Sequence, residues 1–364
     1  MPSSKTLIAD RYEVSSKPIG QGGMQTVFSA HDWAFDRIVA LKSPHSDGAK
    51  KKFLRSAQAS AAIAHPNVAA TLDYVSLGDK EYLIEEYVEG ENLQQRLDRD
   101  FDYFDVHLAC HVIHHIARGL AACHHANIIH RDLKPSNIMV SSNAGVTTVK
   151  ITDFGISKMA EAEIKTAVDS SSGLTGSKSS TLQGAFPYMA PEVALNFSSS
   201  GKPADIWAIA AIFYHLLYGS PPFGIGISAV MKANNESPPY NVPHYAGKGQ
   251  FKDLFSAADA LIKAGLQRDP LRRPNIDTFV QHLSEIAYSD APREYGQIKF
   301  AGKPFKNTGF ITHQNSNRDS FYHFESFCGR IPEIGQKVSF ASFSGDPSPR
   351  AHPVLPLKAT AIIY

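Results

Sequence analysis

The residues best suited to chemistry fall in a few short clusters. HRDLKPSN (130–137) holds Asp132, Lys134 and Asn137, and a further carboxylate, Asp153, follows in DFG (153–155). Upstream, VALK (39–42) ends in Lys42, and IGQGGMQTVF (19–28) carries Gly20, Gly22, Gly23 and Val27. Glycines let backbone N–H groups approach a phosphate closely. Carboxylate oxygens are hard donors for a divalent cation, and a carboxylate also serves as a general base. Together the set points to phosphate handling, which needs charge neutralisation and alignment more than covalent help. The glycine stretch departs from G-x-G-x-x-G-x-V at its last glycine, where Gln25 stands. That side chain either weakens the approach to phosphate or hydrogen-bonds a phosphate oxygen. Gly20, Gly22 and Gly23 keep the tip permissive.

The elements that must position these residues are legible in outline. Residues 12 to 43 read as short strands around the glycine stretch, with VALK a compact strand core. AKKKFLRSAQASAAIA (49–64) is helix-forming, and HPN (65–67) stops it. Strand-like YLIEEYV leads through EGENL into another helix, and residues 105 to 126 form a further one. The stretch 157–183 is rich in Ser, Thr and Lys and reads as a loop. Helical patterns return over Ala204–Leu217 and Phe251–Ile286. After Ser289 short β-type runs alternate with Gly, Asn, Asp and Pro. IWAIAAIFYHLLYG, from Ile206, is too short to span a bilayer and contains His215, so a buried helix is expected. MPSSKTLIADRYEV lacks the features of a signal peptide. Cys110, Cys123 and Cys328 form neither metal spacing nor a disulfide framework, and a cytoplasmic setting with no membrane partner follows.

With 364 residues, 43% of them hydrophobic and 20% charged, the chain has room for two or three globular domains. From Arg293 onward there are nine Lys and Arg against five Asp and Glu, a balance of +4. The remaining 27 basic and 30 acidic residues give −3, so a basic tail follows an acidic body. Such a tail favours an anionic partner.

Six ordered motifs (the glycine loop, VALK, HRDLKPSN, DFG, APE at 190–192 and RDPLRRP at 268–274), with DIW at 205–207, resemble the eukaryotic-type protein kinases. The match is nearest to bacterial Ser/Thr kinases with a GQGGM loop and covers roughly residues 10–288. The resemblance implies an α+β, two-lobed protein-kinase fold, with an N-lobe over 10–86 and a C-lobe over 91–288. It implies Mg2+ and ATP in the cleft and a protein substrate with a Ser or Thr acceptor. Gly20, Gly22, Gly23, Val27, Ala40, Lys42, Glu85, the hinge residue Glu86 and Asp153 match the nucleotide site. Asp132 matches the catalytic aspartate, and Lys134 the lysine that neutralises the moving phosphate. Asn137 and Asp153 match the magnesium ligands, and Glu192 with Arg273 a buried ion pair. Thr166, Ser170, Thr175, Ser179, Ser180 and Thr181 are candidate phosphorylation sites that would dock against Arg131.

Two further departures accompany Gln25. The helix glutamate that pairs with the strand lysine is replaced by Ser56, while Glu85 occupies the usual apolar gatekeeper position. A buried lone carboxylate is costly. Either Glu85 pairs with Lys42 in place of the missing glutamate, or it tilts to water and leaves Lys42 with no fixed partner. Ala185, in GAFPYMAPE, replaces a threonine and loses about 1 kcal/mol of hydrogen bonding to the catalytic loop. A slow or conditionally active kinase is expected, and a nucleotide-binding pseudokinase scaffold is the alternative. His111 and His115 have metal-compatible i, i+4 spacing but no acidic residue between them in the H-E-x-x-H manner, and His124 matches a core histidine.

GQIKFAGKPFKNTGFITHQNSNRDSFYHFESFCGRIPEIGQKVSF, opening at Gly296, resembles a cold-shock domain, a small all-β OB-type barrel. A linker over 289–295 and a barrel over 296–358 are expected. The resemblance implies binding of single-stranded RNA or DNA, with bases stacked on Phe300, Phe310, Phe321, His323 and Phe324 and phosphates met by Lys299, Lys303 and Lys306. Thr308 and Ala301 replace aromatics of that pattern, and Phe305 is a substitute platform. The alternative is a barrel whose aromatics are core and whose surface docks protein.

Overall fold

The computed structural model describes residues 6–21, 25–45, 50–153, 184–195, 201–301, 307–316 and 318–361. Gly22, Gly23, Lys303, Phe305, Lys306 and the six candidate phosphorylation sites lie outside the described residues.

The N-terminal lobe is an antiparallel sheet of β1 (Thr6–Ile8), β2 (Tyr12–Gln21), β3 (Gln25–Asp32), β4 (Arg37–Pro44), β5 (Thr71–Leu77) and β6 (Lys80–Glu86), in the order β1-β2-β3-β4-β6-β5. Side chains alternate between its faces. One face buries Tyr12, Ala30, Val39, Leu41 and Ile84. On the other, Leu83 packs against Phe53 and Ala57 of α1 (Lys50–Ala61).

The C-terminal lobe contains α2 (Leu93–Asp100), α3 (Val106–His125), α4 (Pro191–Leu195), α5 (Lys202–Tyr218), α6 (Ile227–Asn235), α7 (Lys252–Gly265) and α8 (Ile276–Glu285). A small sheet of β7 (Glu91–Asn92), β8 (Ile138–Val140) and β9 (Val149–Ile151) completes the lobe. Helix α5 is apolar all round, and every residue from Ile206 to Leu217 is buried, as its composition requires. A Cβ on Gly265 would sit 2.5 Å from Ala210 Cβ, so that glycine sets how closely α7 approaches α5. Among the described residues no helix is long and apolar enough to cross a membrane.

The tail is a closed barrel of β10 (Arg293–Ala301), β11 (Thr308–His313), β12 (Asp319–His323), β13 (Lys337–Phe343) and β14 (Arg350–Pro356), ordered β10-β11-β12-β14-β13. Strands β12 and β14 pair in parallel at Phe321 and Arg350, and the other pairings are antiparallel. Ile298, Ile311, Tyr322, Phe327, Val338, Phe340 and Val354 fill the interior.

The expected linker over 289–295 is shorter than that, because β10 begins at Arg293. The first strand residues are already anchored in the C-lobe. Arg293 grips Asp105, the N-cap of α3, at 2.6 and 2.9 Å, and both side chains are buried. The Tyr295 hydroxyl bonds to Arg96 and donates to the Ser142 carbonyl. Tyr103 Oη donates to Cys328 O at 2.8 Å, and Lys248 Nζ donates to the carbonyls of Phe324 and Phe327 at 2.7 and 2.6 Å. Tyr295, Cys328, Leu355, Leu357 and Ala361 belong to the same apolar cluster as Phe213 and Trp207. The barrel therefore shares the core of the C-lobe, a continuity that local strand and turn patterns do not reveal.

Candidate active site

Strand register places the lysine and its partner. Ala40 lies opposite Glu85 and Lys42 opposite Leu83, so Lys42 and Glu85 are diagonal neighbours on one sheet face, within reach of long side chains. Lys42 Nζ is 2.5 Å from Glu85 Oε2 and 2.7 Å from Asp153 Oδ1. Helix α1 carries no Asp or Glu that would compete for this role. Of the two arrangements open from sequence, the structure has the relocated carboxylate. Burial disfavours the charged lysine, but Asp153 and Glu85 outweigh it and hold Lys42 above its ordinary range. Glu85, buried with a single cation, is pushed up by that burial. For Asp153 burial also acts upward, but Lys42 and Gln25 overcome it and hold the carboxyl below its ordinary value.

Val27 pairs directly with Lys42 across β3 and β4, and Gly20 with Val27 across β2 and β3. Gly20, Val27 and Lys42 thus form one row on the cleft side, with Ala40 beside them. Glu86 ends β6 and its carboxylate turns to Lys150 at 2.9 Å and to the Ala70 N–H at 3.2 Å. Its side chain is therefore committed to the protein rather than to a ligand.

The loop between α3 and β8 carries the other carboxylate. Asp132 Oδ2 receives Lys134 Nζ at 2.9 Å and Asn137 Nδ2 at 3.1 Å. Asn137 Nδ2 also donates to Asp132 O at 2.7 Å, which leaves the amide oxygen as its acceptor end. Ile138 pairs with Ile151, so the start of β8 and the end of β9 are neighbours. That register brings Asn137 beside Thr152, whose N–H donates to Asn137 O at 2.9 Å, and hence near Asp153. A carboxylate and an amide oxygen at adjoining strand ends suit Mg2+, which takes one or two protein ligands and completes its shell with water and phosphate.

Asp205, from DIW, organises this loop. It is buried in the first turn of α5 and accepts from the backbone N–H groups of His130 and Arg131 at 2.9 and 2.8 Å. His124 Nε2 lies 2.8 Å from the same carboxylate. Arg131 has φ 67°, a left-handed conformation that these bonds hold in place. Sequence reading noted DIW without assigning it this part, because its partners lie some 75 residues upstream. Glu192 and Arg273 form the expected bidentate pair at 2.6 and 2.8 Å. His111 and His115 are spoken for by Val146 O and Asn67, and no metal-binding cluster occurs among the described residues.

On the barrel, Phe300 lies opposite Phe310, Phe310 opposite Phe321, and Phe321 opposite Arg350. The row crosses four strands on the outer face, where all three phenylalanines are half-buried and His323 is exposed. The Phe310 and Phe321 rings meet edge-on at 5.6 Å, and the Arg350 guanidinium sits 4.6 Å over Phe321. One expectation needs correction. Phe324 packs against the barrel core and stacks on Tyr322 at 6.0 Å, so it is not a free platform. Lys299 is exposed and pairs with Asp319 at 2.6 Å. Arg350, which sequence reading did not single out, supplies a further cation in the row.

The protein kinase domain family matches residues 12–283. This chain belongs to the protein kinase family. Among curated relatives it is similar to the probable serine/threonine-protein kinase PknB of Corynebacterium glutamicum, 37% identical over 231 residues, or 60% of this chain and 33% of that protein. It is 31% identical over 266 residues to the serine/threonine-protein kinase PrkC of Bacillus subtilis, covering 68% of this chain and 38% of PrkC. The serine/threonine-protein kinase PknB of Mycobacterium leprae is 31% identical over 276 residues, covering 73% of this chain and 41% of that protein. The chain thus spans less than half the length of these relatives. Among solved structures, Rad53 1–466 in complex with AMP-PNP matches with a TM-score of 0.57 at 23% identity, over 75% of this chain and 64% of that one, a likeness of fold. The barrel lies beyond the kinase-family match.

Proposed function

We propose that this kinase-family chain is a Mg-ATP-dependent serine/threonine protein kinase whose barrel binds single-stranded RNA or DNA. The observation that carries the first half is the convergence of Lys42, Asp132, Asn137 and Asp153 on one cleft. In this reading Lys42, anchored by Glu85, grips nucleotide phosphate. Gly20, Val27 and Ala40 line the nucleotide site, with Glu86 contributing through its backbone. Asp132 accepts the proton of the substrate hydroxyl, and Lys134 beside it neutralises the transferring phosphoryl group. Asn137 and Asp153 hold the cation, which supplies charge neutralisation at the phosphate oxygens when bound. Three free, buried cysteines are in keeping with a cytoplasmic setting.

The Phe300–Phe310–Phe321 row, with Arg350 and His323 beside it, supports the second half. Half-buried aromatics on an outer face next to cations suit base stacking with phosphate contact. The alternative, a nucleotide-binding scaffold without transfer, is favoured by Ala185, which offers no hydroxyl to Asp132, and by the occupancy of Asp153 by protein donors.

Transfer of labelled γ-phosphate from ATP decides between them, comparing wild type with Asp132→Asn, each with and without single-stranded RNA. Incorporation lost in Asp132→Asn establishes the kinase, and a change on adding RNA couples the barrel to it. ATP binding with no incorporation under any condition establishes the scaffold.

A further inference from the structure

Gln25 opens β3, at the position where the glycine pattern calls for its last glycine, and is only 8% exposed. Its Nε2 donates to Asp153 Oδ1 at 2.7 Å. Lys42 Nζ reaches the same oxygen at 2.7 Å. One carboxylate oxygen thus holds two N-lobe donors, and the Gln25 bond ties the first strand after the glycine loop to the segment that leaves β9. The other end of the amide, Oε1, is buried and finds no hydrogen-bond partner among the described residues. A buried amide with one end unmet is a costly arrangement, and such groups call for a functional account. A glycine here would make neither contact.

We propose that Gln25 is a clasp: it ties the loop strand to Asp153, and it must release that carboxylate before Mg-ATP is seated. The inference rests on Asp153 as the cation ligand, as set out above. Oδ1 saturated by an amide and an ammonium is a poor ligand for a cation, so cation and clasp compete for the same oxygen. Gln25 then sets the threshold for nucleotide entry without taking part in transfer, which makes it a positioning residue. Its effect falls on nucleotide affinity and on the magnesium requirement rather than on turnover.

The test uses the full chain and a fluorescent ATP analogue titrated at several magnesium concentrations. Gln25→Ala is expected to tighten binding about ten-fold, the worth of a hydrogen bond to a charged group, and to lower the magnesium concentration needed for half-saturation. Gln25→Met keeps the side-chain volume but removes the donor, and is expected to act in the same direction. In an Asp153→Asn background the Gln25→Ala effect should shrink to less than about two-fold, since coupled residues are not additive. With an acceptor protein, KM for ATP should fall while kcat changes little. Unchanged or weaker analogue binding in both Gln25 variants overturns the clasp, as does tightening that persists undiminished in Asp153→Asn. If wild type transfers no phosphate yet Gln25→Ala still tightens binding in the magnesium-dependent way, the kinase reading fails and the clasp stands.

Discussion

Replacing Arg293 with alanine tests how far the barrel and the C-lobe are one folding unit. Asp105 is fully buried and caps α3 through the N–H groups of His107 and Leu108 at 3.1 and 3.3 Å. Its remaining compensation is the two-pronged contact with Arg293. Without the guanidinium a buried carboxylate is left with two long backbone bonds. Breaking a buried pair from one side costs about 3–5 kcal/mol. Urea unfolding followed by the fluorescence of Trp207, buried in α5, should show a loss of that order at pH 7. Burial alone would raise the Asp105 pKa, but Arg293 outweighs it and holds the carboxyl below its ordinary value. A depressed carboxylate stabilises the fold above its unfolded pKa, and that stability is lost as pH falls through the folded value. In the wild type this loss therefore begins only below about pH 4. In Arg293→Ala burial dominates, the carboxyl protonates at higher pH, and the gap to wild type should narrow between pH 7 and pH 5. A double cycle with Asp105→Asn should give a coupling above about 1 kcal/mol. A loss under about 1 kcal/mol that does not change with pH would refute a shared core braced by this pair.

Other outcomes follow from the same geometry. Glu85→Met leaves Lys42 without its sheet partner and should weaken nucleotide affinity and turnover together by about ten-fold or more; steady-state kinetics against ATP unchanged from wild type would remove Glu85 from the site. Phe310→Ala deletes the middle of the aromatic row and should weaken single-stranded RNA binding by about 1–3 kcal/mol. A gel shift at two salt concentrations reads this, and no RNA binding by the wild type itself would favour a protein-docking barrel. Burial pushes His107 and His215 each down to about 4. The unfolded chain then binds more protons than the folded one between about pH 6.5 and pH 4, so stability falls across that window. The urea midpoint should drop from pH 7 to pH 5, and His107→Gln should flatten the dependence.

Much of the active site was readable because the motifs are contiguous and chemically distinctive. Asp132, Lys134 and Asn137 lie within one loop, and their mutual bonds span at most five residues. The relocated acid was readable too, as an open alternative, because a glutamate at a usually apolar position needs a cation; the β4–β6 register then puts Lys42 on the same face. Asp205 was harder, since two backbone N–H groups and a histidine converge on it from a separate segment. The contact between Gln25 and Asp153 joins residues 128 positions apart, and no local pattern encodes it.

Local chemistry by itself settled the kinds of element and the order of the motifs, because periodicity and residue type act over a few neighbours. It settled that α5 would be buried and that the tail would be β. Tertiary structure alone decided that the barrel joins the C-lobe core, that Phe324 turns inward while Arg350 flanks Phe321, and that Glu86 faces Lys150. Those outcomes depend on which surfaces meet. An exposed tyrosine and a seam tyrosine are the same letter, and only the packing of Tyr295 against Arg96 and of Cys328 beneath Tyr103 tells them apart.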